Sequence, residues 1–203
     1  WKTPPDVLDR TIRCLAKGSG RPAIYNDDLY VESLCSMDLG LTAEDARECG
    51  FGGCSETMIA GLSNVGSLEG AINLAKALEL ALFDGVDIRT GERLGPATGA
   101  LSEMRDFESF QKAVEEQIRH QTDDLCRQRN EELKKRFEAG DPKLYRTLFT
   151  RDCVRRRKGF EAGGARYNWC VVTYQGIGNL IDGLAAVREC VFGGAVSPTE
   201  LIT

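Results

Sequence analysis

The length, composition and charge of the chain limit its class before any motif is considered. At 203 residues and 42% hydrophobic, the sequence can bury one sizeable core, so one globular folding unit is expected. The formal net charge of -5 provides no field that attracts polyanions, which argues against nucleic acid or an anionic membrane as a partner and favours a small or neutral substrate.

The opening of the chain predicts three helices and one short strand. Apolar residues at helical spacing are separated here by glycine, proline and capping residues. The predicted elements are a helix over 5–16, a strand over 23–25, a helix over 29–37 behind Asn26-Asp27-Asp28, and a helix that begins at Thr42. We expect Asn26 and Asp27 to form a turn rather than to bind a ligand.

The middle of the chain predicts a loop, two amphipathic helices and a second loop. Three glycines and one phenylalanine in 50–53 favour a tight loop that leads into Cys54. The further predicted elements are an amphipathic helix over 67–83, an extended surface loop over 86–99, and a long helix over 107–139 with one narrow buried stripe from Phe110 to Phe137. Apolar stretches such as 77–83 are interrupted by charge and are far shorter than the roughly 20 residues of a membrane span.

The last quarter of the chain adds strand and helix signals. Short apolar runs at 144–149 and 169–174 are strand candidates, and the second, with its β-branched residues, is the stronger one. A turn is predicted at 176–179 and a helix over 180–192. Helices interspersed with a few strands indicate the α/β class.

Eight cysteines are many for a chain of this size. No signal for secretion opens the sequence, so a disulfide framework is not indicated. No C-x-x-C pair occurs and His120 is the only histidine, so the usual zinc spacings cannot be assembled. We therefore expect a cytoplasmic protein without bound metal, in which about seven of the eight cysteines are reduced, buried and structural.

Two alternative chemistries receive little support from the sequence. The glycine-rich runs 50–53 and 61–66 match neither the dinucleotide-binding pattern nor the P-loop pattern. A cysteine hydrolase needs a base within reach of its nucleophile. Because His120 lies in a charged helix where an exposed position is expected, only a pairing with a base distant in sequence stays open.

The run Gly52-Gly53-Cys54-Ser55-Glu56 resembles the Gly-Cys-x-Glu motif on the finger loop of glycyl radical enzymes, the relatives of pyruvate formate-lyase. Other parts of the chain resemble segments of that family in the same order. These are Pro22 with Asn26-Asp27, the helix start 42–46, the helix 72–80, and the later segments 161–168 and 182–187. The likeness covers nearly the whole chain.

This resemblance implies a fold and a set of partners. The implied fold is roughly half of a ten-stranded α/β barrel around the Cys54 loop, with residues 1–203 forming part of a pyruvate formate-lyase-like domain. The other barrel half and a C-terminal glycyl radical domain would lie outside this chain, which starts at Trp1 without a methionine. No cofactor is expected on the chain itself. The implied partners are those missing segments, an activase that uses S-adenosylmethionine, and a second subunit in a homodimer.

The resemblance also assigns roles to residues. Cys54 would carry a thiyl radical that abstracts hydrogen from a small organic substrate, and Glu56 would manage the proton that accompanies loss of the leaving group. If 54–56 is extended, both side chains share a face, and a closed pocket would raise the carboxyl pKa. Tyr167 and Asn168 are weaker substrate-binding candidates. The structural alternatives are a buried tyrosine, and a Glu56 that caps 61–66 or pairs with an arginine.

A glutamate at position 56 favours elimination, which includes dehydration, C–N or C–S cleavage and decarboxylation, over acyl transfer of the pyruvate formate-lyase type. Thr57 replaces the proline that is frequent after this glutamate in the family, and Gly66-Ser67-Leu68 lacks the acidic residue that a glycerol-type dehydratase has there. These departures indicate a substrate other than glycerol. A non-catalytic split subunit or remnant that acts as an interaction domain is the alternative that the sequence leaves open.

Overall fold

The computed structural model describes residues 3–53, 56–65, 68–140 and 143–202. Contacts within the chain group it into two compact units, Trp1–Cys49 and Gly50–Thr203, where composition led us to expect one. Within the described ranges, no helix combines the length and the apolar character needed to cross a bilayer.

The first unit contains helices α1 (Pro5–Ala16), α2 (Asp27–Ser36) and α3 (Ala43–Arg47). Its helix caps are as predicted, since Asn26 Oδ1 accepts from the Leu29 amide at 3.2 Å and Thr42 Oγ1 accepts from the Asp45 amide at 3.0 Å. The strand predicted over 23–25 is wrong, and the backbone there is irregular. No described strand pairs with these residues, so their amides and carbonyls lack the ladder that would make them a strand.

The boundary between the units falls in strand β1 (Cys49–Gly52), which forms a two-stranded sheet with β2 (Glu56–Ile59). The loop predicted over 50–53 is therefore mostly strand. Pairing with β2 gives this glycine-rich backbone its extended form as far as Gly52, and Gly53, whose φ is +47°, lies in a turn.

The second unit is organised around two parallel strands, each followed directly by a helix. The elements are β3 (Gly70–Asn73), α4 (Leu74–Leu82), β4 (Val172–Gln175) and α8 (Ile177–Ala186). The register pairs Gly70 with Val172 and Asn73 with Gln175. Neighbouring parallel strands that each lead into a helix are the repeating unit of α/β folds, so the predicted class agrees with this unit.

Two boundaries in these β/α units differ from the prediction. The helix predicted over 67–83 is a strand at 70–73, and α4 begins only after Asn73, whose Oδ1 accepts from the Lys76 amide at 3.2 Å. The turn predicted at 176–179 belongs mostly to α8, because Gly176 alone supplies the left-handed residue, with φ +81°, that ends β4. Short apolar segments satisfy either period, and the capping residue marks the change.

The long helix α5 (Phe107–Ala139) has the predicted bounds. Asp106 Oδ1 caps it by accepting from the Ser109 amide at 2.8 Å, and Gly140 ends it with φ +68°. Only its first half is buried, and Phe137 is 59% exposed, so the predicted buried stripe stops short of that residue. The core packs α5 against α4 and the turns near the C-terminus and contains Ala81, Leu101, Phe110, Ala113, Val114, Val187 and Val191.

The remaining helices are α6 (Leu144–Phe149), α7 (Cys153–Arg156), a π-helical turn Val187–Phe192 that continues α8, and α9 (Pro198–Ile202). Two short 3₁₀ turns lie at Leu101–Glu103 and Phe160–Ala162. The strand predicted at 144–149 is wrong, since these residues are helical. Residues 187–192 complete the predicted helix over 180–192. Among the described residues the strands form two sheets of two strands each, so the ten-stranded barrel stays a prediction.

The cysteines are less buried than predicted. The seven described ones are all free thiols, and of these only Cys153 is buried. Cys14, Cys35 and Cys126 are exposed on α1, α2 and α5. Cysteine tolerates both buried and exposed positions, so its burial depends on which face of the helix it occupies. Cys54 lies outside the described residues.

Candidate functional site

Of the two residues predicted to be catalytic, Cys54 and Glu56, the structure describes one. Cys54 lies outside the described residues, and Glu56 is the first residue of β2. The Glu56 side chain is buried, with 7% of its surface exposed, which is unusual for a carboxylate on a short strand. The predicted sharing of one face by Cys54 and Glu56 therefore stays a prediction, but the glutamate does occupy an interior position.

The two glycines in front of Cys54 make room for the side chains of β2. A Cβ at Gly53 would lie 2.8 Å from Glu56 Oε2 and 3.0 Å from Oε1, and a Cβ at Gly52 would overlap the terminal methyl group of Met58. Glu56 and Met58 are two residues apart on a strand and so share a face. Because Gly52 and Gly53 have no side chains, the side chains of Glu56 and Met58 can lie close to the backbone at these two glycines.

A second segment, residues 167–169, joins the chain just after β2. Ser63 and Tyr167 form a parallel bridge, in which the Tyr167 amide donates to the Leu62 carbonyl at 3.1 Å and its carbonyl accepts from the Asn64 amide at 3.0 Å. Asn64 Oδ1 also accepts from the Trp169 amide at 3.0 Å. These bonds fix the segment against residues 62–64.

Trp169 connects this segment to β2 itself. Its indole Nε1 donates to the carbonyl oxygen of Thr57 at 3.2 Å, next to Glu56 in the strand. The Tyr167 and Trp169 rings lie 6.0 Å apart with their planes inclined by 31°. The pair of aromatic rings therefore supports the strand that carries Glu56.

The sequence-predicted substrate residues have different positions. Tyr167 is buried, which matches the structural alternative as well as a role in a pocket. Asn168 is exposed, and its amide nitrogen donates to the Ala165 carbonyl at 2.9 Å, within its own turn. The structure brings the segment that holds both residues alongside β2, while their binding role stays a prediction.

Sequence reasoning missed Trp169, which makes the described contact with β2. The only signal was its position directly after the Tyr167-Asn168 pair that the family resemblance had singled out. A tryptophan at this position is expected to bury its ring and to donate a hydrogen bond from its indole N–H. No sequence pattern identifies Thr57 as the acceptor.

Two other described thiols, Cys49 and Cys170, are not activated. Burial raises the pKa of the Cys49 thiol, and the nearby Asp27 carboxylate raises it further. Burial also raises the pKa of Cys170 to about 11, helped by its hydrogen bond to Glu69. A thiol with a raised pKa is a poor nucleophile at neutral pH, so neither offers an alternative to Cys54. His120 is exposed on α5, as predicted.

Metal chemistry has no ready ligand set in the part of the chain that is described. No group of three or more histidine, cysteine, aspartate or glutamate side chains is placed there to hold an ion. The polar groups assembled around β2 are instead one carboxylate, backbone carbonyls and an indole N–H.

Three curated proteins resemble the chain along most of its length. Trans-4-hydroxy-L-proline dehydratase of Clostridioides difficile is 34% identical over 191 residues, which are 94% of this chain and 24% of the relative. (2S)-3-sulfopropanediol dehydratase of Klebsiella oxytoca is 31% identical over 196 residues, 94% of this chain and 23% of that protein. Indoleacetate decarboxylase of Tractidigestivibacter scatoligenes is 32% identical over 195 residues, 94% of this chain and 22% of that protein. The chain thus spans about a quarter of the length of these relatives.

The fold agrees with the sequence comparison. The structure of hydroxyproline dehydratase from Clostridioides difficile, with trans-4-hydroxy-L-proline bound, superposes with a TM-score of 0.82 at 30% identity and covers 99% of this chain and 25% of that one. The model of the family described as pyruvate formate lyase-like matches residues 1–202. The resemblance to glycyl radical enzymes drawn from the Gly-Cys-x-Glu run is confirmed, and the chain belongs to the pyruvate formate lyase-like family.

Proposed function

We propose that the protein to which this chain belongs is a glycyl radical lyase, in which Cys54 and Glu56 act on a small organic substrate. The observation that carries the proposal is the buried Glu56 carboxylate, which lies against the side-chain-free Gly53 two residues from Cys54. A buried carboxylate two positions along the sequence from a cysteine, in a family of radical enzymes, has a chemical use in proton transfer, whereas a surface glutamate would not.

The proposed reaction uses the weak S–H bond of Cys54. A stored glycyl radical, installed outside this chain, supplies the unpaired electron by taking the thiol hydrogen atom. The sulfur radical then takes a hydrogen atom from a substrate carbon, which re-forms the S–H bond and leaves the unpaired electron on that carbon. After the leaving group departs, the product radical takes the hydrogen atom back from Cys54.

Glu56 acts on the proton in this scheme. When hydroxide leaves the carbon next to the radical centre, a proton must reach it to form water, and a protonated carboxyl group can donate that proton. The carboxylate left behind then accepts the proton released from the hydroxyl group on the radical carbon. The burial of Glu56 supports this role, because a carboxyl group shielded from bulk water exchanges protons with substrate rather than with solvent.

The glutamate at position 56 also favours elimination over acyl transfer. Two of the relatives described above are named dehydratases and a third is named a decarboxylase. We propose a substrate that carries a leaving group next to an abstractable C–H bond. The run Gly66-Ser67-Leu68 lacks the acidic residue expected of a glycerol-type dehydratase, which supports a substrate other than glycerol.

The proposed enzyme needs partners that this chain does not supply. These are the remaining barrel segments, the loop that stores the glycyl radical, an activase that uses S-adenosylmethionine, and a second subunit in a homodimer. The proposal gives Tyr167 and Asn168 supporting positions near the substrate, with Tyr167 held by its backbone bonds to residues 62 and 64.

The proposal is tested on the complete protein, activated without oxygen, with its homologues' substrate classes as candidate substrates. Cys54→Ser is expected to abolish turnover while the organic radical signal in electron paramagnetic resonance persists, because the serine O–H bond is too strong for the stored radical to cleave. The matched control is Cys126→Ser, at an exposed thiol on α5. Turnover in air without an activase, or a Cys54→Ser variant at the wild-type rate, would overturn the proposal.

A further inference from the structure

Trp169 joins two parts of the second unit that are far apart in the sequence. Its backbone amide donates to Asn64 Oδ1 at 3.0 Å, and its indole Nε1 donates to the carbonyl oxygen of Thr57 at 3.2 Å. Both distances lie within the ordinary N–H···O range of about 2.7–3.2 Å. The centre of the Tyr167 ring lies 6.0 Å from that of the indole. The half-buried Trp169 therefore has contacts at its backbone, its ring and its ring nitrogen.

The sheet that carries Glu56 has little internal support. It consists of two strands, β1 and β2, of four residues each. Gly50 and Gly52 are two of the four residues of β1, and they add no side chains to its packing. An isolated pair of short strands is marginally stable, so the position of β2 depends on contacts from outside the sheet.

The indole hydrogen bond is such a contact, and it meets β2 next to the glutamate. The carbonyl group of Thr57 belongs to the residue that follows Glu56, so the bond fixes the strand backbone close to the point where the carboxyl side chain leaves it. Another contact lies at the far end of β2, where the Ile59 amide donates to Ser63 Oγ at 3.0 Å. Trp169 thus acts near the glutamate, and Ser63 acts at the opposite end of the strand.

A second aromatic residue, five positions further along the chain, makes a different contact. Tyr174 lies on β4, and its hydroxyl oxygen is 3.3 Å from Thr122 Oγ1 on α5. Its polar contact is therefore with the long helix. Both Trp169 and Tyr174 can lose their polar atom and keep an aromatic ring when phenylalanine replaces them, which makes them a matched pair for an experiment.

From these contacts we propose that Trp169 is a positioning residue for proton transfer by Glu56. The inference rests on the proposed function, because the position of this carboxyl group matters for turnover only if the group transfers a proton. The indole N–H holds the Thr57 carbonyl, and the strand backbone held in this way sets where the carboxyl group meets the substrate. A misplacement of about 1 Å can cost an enzyme about 10²-fold in rate. Since Trp169 acts through Glu56, its loss affects the chemical step and not the binding of substrate.

The test compares Trp169→Phe with Tyr174→Phe in the complete protein, activated without oxygen. Trp169→Phe keeps an aromatic ring but removes the N–H donor, so kcat is expected to fall about 10–100-fold while KM and the radical yield stay close to wild type. Tyr174→Phe removes a hydroxyl group that contacts α5 and is the matched control, with kcat expected at the wild-type level. A damaged fold would lower the radical yield together with kcat.

A double-mutant cycle with Glu56→Gln separates positioning from a general effect on stability. If Trp169 acts through Glu56, adding Trp169→Phe to Glu56→Gln should change kcat by less than about twofold, because the group that Trp169 positions is already inactive. Independent effects on the fold would instead multiply the two losses. Multiplied losses would overturn the inference.

Asn64→Ala is a second variant, which keeps the indole and decides the question if Trp169→Phe does not fold. It releases the Trp169 amide and is expected to lower kcat in the same direction, again without a further loss in the Glu56→Gln background. Wild-type kcat in Trp169→Phe, beside an impaired Glu56→Gln, would overturn the inference and leave the proposed function standing. A Glu56→Gln variant at the wild-type rate would overturn the proton-transfer role in the proposed function, and this inference with it.

Discussion

Gly53 and Gly61 have similar backbone conformations in different surroundings. Both have positive φ angles, +47° and +66°, which cost a residue with a Cβ about 1–2 kcal/mol. At Gly61 nothing lies within 4 Å of a built Cβ, whereas at Gly53 both carboxylate oxygens of Glu56 lie within 3.0 Å. Gly53→Ala is therefore expected to displace the Glu56 carboxylate in addition to straining the turn.

The pair Gly53→Ala and Gly61→Ala separates these two effects. Both variants should lower the melting temperature of the complete protein by a similar amount, but only Gly53→Ala should reduce anaerobic turnover strongly. If Gly61→Ala lost turnover to the same degree, backbone strain rather than the position of Glu56 would explain the loss.

Glu56→Gln probes the proton-transfer role of the carboxyl group directly. Glutamine keeps the shape and the hydrogen bonding but cannot exchange a proton, so turnover is expected to fall by about 10²–10⁴-fold while the radical yield is unchanged. Glu92→Gln, at an exposed glutamate, serves as the control and should retain full turnover. A Glu56→Gln variant with a normal rate would leave Glu56 with a purely structural role.

For single residues, the sequence predicted Glu56 as a site residue but did not predict the residues that hold its strand in place. A short motif with a chemical meaning is local, so Gly53-Cys54-Ser55-Glu56 can be found by inspection. The indole of Trp169 donates to the carbonyl oxygen of Thr57 across 112 positions of sequence. Contacts of that kind depend on the tertiary fold, and no residue spacing encodes them.

The loop that follows α4 is fastened by a carboxylate at Asp87. Its Oδ2 accepts from Lys76 Nζ at 3.0 Å, and its Oδ1 accepts from the amides of Arg89 at 2.7 Å and Thr90 at 3.0 Å. Lys76, followed by these two amides, lowers the pKa of Asp87 from 3.8 to about 2. The loop predicted over 86–99 is thus ordered by these side-chain bonds together with an antiparallel backbone bridge between Val86 and Arg93, and not by a helix or a longer strand.

The pKa of Asp87 predicts how the loop responds to acid. Because the folded-state value lies below the ordinary 3.8, the carboxylate stabilises the fold fully above about pH 4, and this contribution is lost as the pH falls through about 2. Amide hydrogen exchange of Arg89 and Thr90 is the measurement. Asp87→Asn should reduce their protection near neutral pH, and the difference from wild type should shrink towards pH 2.

Asp124→Asn is the control for the acid response, since it removes a carboxylate from an exposed ion pair on α5. This variant should leave the exchange of the Arg89 and Thr90 amides unchanged at every pH. If the Arg89 and Thr90 amides stayed better protected in wild type than in Asp87→Asn by a constant factor down to pH 2, protonation of Asp87 would not loosen the loop.

Among the elements, long periodic segments were predicted well and short ones were not. The bounds of α5 follow from many apolar positions, a capping Asp106 and a terminal Gly140. The strand β3 has only four residues and owes its form to β4, about 100 positions later, so its apolar residues matched a helical period by themselves. Helix α6 shows the converse, since its apolar residues matched a strand.

For the molecule as a whole, the most prominent feature is apolar surface on α6. Leu144 and Leu148 are each 64% exposed, and Tyr145 and Phe149 are each 81% exposed. Burial of a leucine or phenylalanine side chain gains about 1.5–3 kcal/mol, so a contiguous group of four is strongly driven to find cover. In the predicted half barrel, further segments would cover this group, and the relatives are about four times longer than this chain.

The 203-residue polypeptide produced alone is therefore expected to self-associate. Exposed apolar side chains on α6 and unpaired edges of the two-stranded sheets offer surfaces that further chains can cover. Sedimentation velocity should show oligomers whose proportion rises with concentration. Replacing both Leu148 and Phe149 by lysine should shift the distribution towards monomer, whereas the same replacement at Arg127 and Gln128, polar positions on α5, should not. A monodisperse wild-type monomer that melts cooperatively would contradict the half-barrel prediction, because its apolar surface on α6 would then need no cover from another segment or chain.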